Sequence, residues 1–170
     1  MDYISRADQN ALNARYKFTA FIVVVFGVTV VTYVLIGRIV TLTSARRPPN
    51  PLREGFYYTA LVVGLGTVVL RRVLLSRAQV GKLVRRGVGA VLGRLSTTSI
   101  ICAALGELVG ILSMVATIMT GDTGFTWGVG GASLALVAYS FPRRFEWARL
   151  VAVASQQTGG EQTAPATGSL

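Results

Sequence analysis

The chain has 170 residues, 52% apolar and 14% charged, with 17 basic against 7 acidic side chains and a net charge of +10. The apolar residues gather in long blocks instead of recurring at the short periods of a soluble fold, which marks a membrane protein. With no histidine and a single cysteine, Cys102, the chain lacks intrachain disulfides, the usual axial ligand of haem, a usual ligand of chlorophyll magnesium, and the commonest imidazole ligand of zinc, copper or iron.

The first block, Phe18 to Gly37, is twenty uncharged residues, enough for a spanning helix. It starts after Lys17 and is too long for the apolar core of a cleaved signal peptide, so it is expected to remain in the mature chain. After the proline-rich loop Ala45 to Glu54, the second block, Gly55 to Leu70, is only sixteen residues. Tyr57, Tyr58 and the snorkelling pair Arg71 and Arg72 supply interface anchors, so a span over 55–72 is predicted.

The segment Arg71 to Arg94, RRVLLSRAQVGKLVRRGVGAVLGR, holds seven basic residues and no acid. Val73, Val80, Val84, Val88 and Val91 recur near helical spacing, with Arg77, Lys82, Arg85 and Arg86 between them. The pattern predicts an amphipathic helix lying on the membrane surface. Plain interfacial anchoring is the first expectation. The alternative is that Arg71, Arg72, Arg77, Lys82, Arg85 and Arg86 recognise anionic headgroups or an acidic partner subunit. No aromatic residue interrupts the run, so nucleic acid is not an expected partner.

A third block, Leu95 to Gly121, predicts a span over 97–120 whose single charge is Glu107. The fourth, Gly124 to Phe141, is eighteen residues closing on Phe-Pro-Arg-Arg. Gly55-Phe56-Tyr57-Tyr58 and Gly124-Phe125-Thr126-Trp127 open spans two and four alike, and each of these spans closes on an Arg-Arg pair, a weak internal repeat. The tail over 155–170 is mostly Gly, Gln, Thr and Ala, a composition that predicts disorder.

The four spans divide the basic residues thirteen to four between the two sides of the membrane. The positive-inside rule then places both termini and the basic segment in the cytoplasm. The predicted fold is an all-α integral membrane protein, a single four-helix domain over residues 1–150 (spans about 18–37, 55–72, 97–120 and 124–141). A bacterial-type inner membrane is the expected location.

Glu107 lies roughly 18 to 21 Å from either end of its block, near the middle of a ~30 Å hydrocarbon core. An ionised side chain at that depth costs on the order of 3 kcal/mol, so it must be paired, protonated or in use. With no cation at that depth, the protonated acid is the expected form. Ala103, Gly106 and Gly110 are small neighbours that let another helix approach closely. Thr29, Ser133 and Thr67 are the expected hydrogen-bond donors at similar depth on other spans. Three roles are open to these residues: a neutral acid joining helices, an ion or proton relay, or a ligand or pigment contact.

The run Leu95-Ser96-Thr97-Thr98-Ser99-Ile100-Ile101-Cys102-Ala103-Ala104-Leu105-Gly106-Glu107 resembles the second helix of the proteolipid c subunit of rotary ATP synthases, an apolar helix with Ala-Leu-x-Glu at midplane. The likeness covers residues 95–121. It implies a helix that follows a basic cytoplasmic loop and runs outward, with Glu107 as the ion-carrying carboxylate. The dense glycine run of that family's first helix is represented here only by Gly64 and Gly66, and the Arg-Gln-Pro of its loop has no counterpart.

No Ser-His-Asp set can be assembled, no glycine-rich loop precedes Lys-Ser or Lys-Thr, and no Cys-x-x-Cys occurs. The function expected is therefore non-catalytic: an accessory subunit of a multi-subunit, energy-converting membrane complex, respiratory or photosynthetic. Such a subunit binds no cofactor through this chain alone, takes membrane lipids, anionic headgroups at the cytoplasmic face and other membrane subunits as partners, and can gain lipid or pigment contacts from its host complex. A proteolipid-like carrier that uses Glu107 in a homo-oligomer, and a protein binding anionic lipid, are the alternatives.

Overall fold

The computed structural model describes residues 6–43, 52–76, 81, 83–84 and 87–162. Every regular element among them is helical, and three helices are long and apolar enough to cross a membrane.

The first of these, α1, spans Arg6–Thr43. It is longer than the predicted span because Leu12, Tyr16 and Thr19 continue the helical period on one face, and that face is occupied. Leu12 packs in a cluster with Leu92, Leu95 and Trp147, with Tyr16 against it, and Thr19 shares a 2.7 Å hydrogen bond with Ser96. Helix α2, Leu52–Leu74, buries only Ala60 and Thr67. Leu61, Val62, Leu65 and Val69 are exposed, a surface that suits lipid or another protein better than water.

Helix α3, Val88–Thr120, is the central element and packs against all the others. Its limits are set by glycine. Gly87 at φ 93° stops an α-helix from entering from upstream, and Gly121 at φ 68° and ψ 11° closes the other end, its N–H bonding the Thr117 carbonyl at 2.8 Å. Both conformations favour a residue without Cβ.

After this turn the chain is helical again from Thr123, passing through one π-helical turn, Phe125–Val129, into α4, Gly130–Ser140. The π turn coincides with a non-local contact: Ser113 on α3 donates to the Phe125 carbonyl at 2.7 Å. Phe141 and Pro142 end the run. Helix α5, Arg144–Gln162, lies beyond it.

Two expectations change here. The amphipathic helix predicted over Arg71 to Arg94 does not run unbroken: Arg71 to Leu74 finish α2, Ser76 and Gly87 are non-helical, Gly81, Leu83 and Val84 between these breaks are helical, and Val88 to Arg94 begin α3. Its valines do not share one surface either, since Val84 and Val91 are buried while Val73 is exposed. Arg77, Val80, Lys82, Arg85 and Arg86 lie outside the described residues. The tail expected to be disordered from residue 155 is helical through Gln162, continuing α5. That helix is held by Trp147, Val151 and Ala154, spaced four and three apart on one buried face.

The contacts sort the helix ends into two groups. Arg53 at the start of α2 pairs with Asp122 at 2.9 Å, and Gly37 near the end of α1 abuts Thr117 and Thr126. At the opposite ends, Trp147 meets Tyr16 edge-on at 6.0 Å, and the Arg71 guanidinium lies 4.3 Å from the centre of the Tyr139 ring. The two similar openings seen in the sequence touch each other: Tyr57 stacks on the fully buried Phe125 at 4.2 Å.

Candidate functional site at Glu107

Glu107 lies on α3 between two environments. The buried side of the helix carries Ala103, Gly106 and Gly110, where the neighbouring backbones come close. A Cβ on Gly106 would stand 3.0 Å from a Val137 methyl and 3.2 Å from the Val137 backbone nitrogen. On Gly110 it would stand 2.9 Å from the Ser133 hydroxyl and 3.1 Å from Val30. The other side is a stripe of exposed residues including Thr97, Ile101, Ala104, Leu108 and Ile118, at helical spacing. Glu107 is half-buried at the border of that stripe, on the side where α1 packs.

Its partner there is Tyr33 of α1, whose hydroxyl donates to Oε1 at 3.4 Å. This is long for an O–H···O bond, whose usual range ends near 3.0 Å, so the carboxyl is weakly held. None of the three donors expected from the sequence serves it. Thr29 donates to the Val25 carbonyl of its own helix at 2.9 Å, and Thr67 to Val63 at 2.8 Å. Ser133 comes closest, but donates to the Gly106 carbonyl at 2.7 Å, joining α4 to the residue beside Glu107. Tyr33 was legible as the lone phenol inside the first apolar block; choosing it over Thr29 needs the register between α1 and α3.

The polar residues near this seam are otherwise used between or within helices. Thr117 and Thr126 hydrogen-bond at 3.1 Å, and Thr117 also donates to the Ser113 carbonyl at 2.8 Å. Cys102 is fully buried. Among the described residues, no cluster of three or more His, Cys, Asp or Glu side chains comes together. Of the predicted basic contacts, Arg71 and Arg72 stand at the end of α2, with Arg71 against Tyr139 of α4, while Arg77, Lys82, Arg85 and Arg86 fall outside the described residues.

No family model, curated protein or solved structure matches the chain. Its chemistry is therefore read from its own residues. Glu107 and Tyr33 together offer one carboxyl and one phenol at membrane depth, an arrangement able to join helices by hydrogen bonding or to hold a transferable proton.

Proposed function

We propose that the chain is a non-catalytic subunit of a larger membrane assembly, and that the exposed stripe of α3 beside Glu107 is covered by another polypeptide. The observation that carries this reading is the half-exposure of Glu107. An acid facing hydrocarbon costs on the order of 3 kcal/mol. An interhelical hydrogen bond in a bilayer returns about 0.6 kcal/mol on average, and the Tyr33 contact is a long one. A second helix seated along Ala104 and Leu108 removes the remaining exposure. These side chains leave room for close approach at Ala104.

The membrane arrangement belongs to the same proposal: four crossings, with both termini in the cytoplasm. The run from Thr123 to Ser140 is about 27 Å long at 1.5 Å per residue, within the range a bilayer accommodates by local thinning. The alternation of helix ends supports it, as does the thirteen-to-four division of basic residues.

A photo-crosslinking residue at Ala104 or Leu108 tests the proposal. We expect adducts to a polypeptide, and a native mass in mild detergent well above the 18.1 kDa of one chain. Lipid adducts alone, on a monomeric particle, would overturn it. A second reading, the ion carrier in a homo-oligomer, is favoured by the Tyr33 hydroxyl next to the acid; it requires the captured polypeptide to be another copy of this chain.

A further inference from the structure

At the end of the bundle opposite Asp122, two cavities of about 730 and 300 Å3 share Arg71, Leu75 and Glu146. The smaller is lined also by Arg72, Tyr139 and Arg143, so the Arg71-Arg72 pair at the end of α2 meets Arg143, which follows α4. The larger continues past Arg149 to Ser99, Leu95, Leu150 and Val153, between α3 and α5. Among the described residues the linings carry four guanidinium groups, Arg71, Arg72, Arg143 and Arg149, against one carboxylate, Glu146. Glu146 is itself paired with Arg143 at 3.4 Å.

Arg71 is the least satisfied of these cations. Among the described residues its Nη1, which is shielded from solvent, has no hydrogen-bond partner, although its guanidinium rests on the Tyr139 ring. An unpaired donor on a buried guanidinium is costly, and phosphate oxygens match its planar fork. Beside it the lining is apolar, with Leu75, Leu95, Leu150 and Val153.

We infer that this paired cavity binds an anionic phospholipid, the phosphodiester on Arg71 with Arg72 and Arg143 around it, and an acyl chain along Leu95, Leu150 and Val153. A basic pocket between helices at the level where spans end is the setting in which anionic headgroups are bound. A free phosphate shares the headgroup chemistry but gains nothing from the apolar half. The inference is independent of the role of Glu107.

The test uses the full chain in a delipidating detergent, with phosphatidylglycerol or phosphatidylcholine added and retained lipid counted by native mass spectrometry. Phosphatidylglycerol should be retained in preference to phosphatidylcholine. Arg71→Gln and Arg143→Gln should each weaken its retention about fivefold, the effect of one cation near an anionic headgroup. Arg38→Gln, which removes the same charge away from both cavities, should leave it unchanged. Glu146→Gln should strengthen retention, a direction that loss of structure does not produce. Should Arg71→Gln fail to fold, the exposed Arg143 and Glu146 carry the comparison. Equal retention of the two lipids, equal weakening by Arg38→Gln, or displacement of the lipid by glycerol 3-phosphate would overturn the assignment.

Discussion

Tyr33 on α1 reaches Glu107 on α3 across 74 positions of sequence, and the bond that results, at 3.4 Å, is a weak one. The pair lies where the buried face of α3 gives way to its exposed stripe. A carboxyl so placed is half answered from inside the chain. This asymmetry separates Glu107 from Ser133, Ser113 and Thr19, whose interhelical bonds are 2.7 Å and buried.

If another polypeptide covers the exposed stripe, as proposed, substitutions at this pair should act on assembly more than on the fold of one chain. Tyr33→Phe should cost no more than about 0.6 kcal/mol, the average for an interhelical hydrogen bond in a membrane protein. Glu107→Gln keeps the acceptor and should leave both stability and partner capture intact, whereas Glu107→Leu should keep the fold and lose the partner. Thermal unfolding in detergent and native mass measure the two quantities. A Glu107→Gln protein that assembles fully but has lost a proton flux measured in liposomes would move the chain into the carrier class.

Two glycines make an opposed pair. Alanine at Gly106 places its Cβ against the Val137 backbone at 3.2 Å, which only a shift of α4 away from α3 can relieve. Gly106→Ala should lose about 1 to 3 kcal/mol, the usual range for overpacking. At Gly66, on an open face of α2, an added Cβ meets nothing within 4 Å. Gly66→Ala should gain up to about 1 kcal/mol of helix propensity. Chemical denaturation of both variants in the same detergent reads the signs; a neutral Gly106→Ala would mean that α3 and α4 do not approach this closely.

The apolar blocks made α1, α2 and α3 readable, because twenty or so uncharged residues have few other fates, and the lone acid made Glu107 readable in the same way. What escaped the sequence depends on contacts between distant residues. The π turn at Phe125–Val129 has its hydrogen-bond partner in Ser113, twelve positions upstream, and no local pattern announces it. The basic segment looked like one amphipathic helix because valine spacing says nothing about Gly87, whose φ of 93° divides it. Helix α5 was hidden by the polar composition of the tail, although Trp147, Val151 and Ala154 already carried its period.

Asp122 serves two partners with its two oxygens. Oδ1 accepts the Gly124 N–H at 2.8 Å at the start of the following helix, and Oδ2 pairs with Arg53 at 2.9 Å. Asp122→Ala removes both, and the lost cap alone should cost about 1 kcal/mol. Asp122→Asn keeps an acceptor for Gly124 and loses only the ion pair, whose partners are 55% and 28% exposed; such pairs are worth about 1 kcal/mol at most. Unfolding at low and high salt distinguishes them: the deficit of the asparagine variant should shrink as salt screens the pair, and that of the alanine variant should largely persist.

The same Arg53–Asp122 pair fixes what site-specific labelling should find. It holds the start of α2 beside the turn that follows α3, while Arg71 on Tyr139 holds the end of α2 beside the end of α4. If the run from Thr123 to Ser140 crosses the bilayer, then cysteines at Glu54 and Thr123 share one side, and cysteines at Ser76 and Gln156 share the other. Introduced one at a time into a Cys102→Ala background, Glu54→Cys and Thr123→Cys should react with an impermeant maleimide on intact cells. Ser76→Cys and Gln156→Cys should react only after permeabilisation, as the proposed cytoplasmic placement of the basic ends requires. Thr123 and Gln156 labelling from the same side would reduce the protein to three crossings, with α4 folded back along α3 without passing through the membrane.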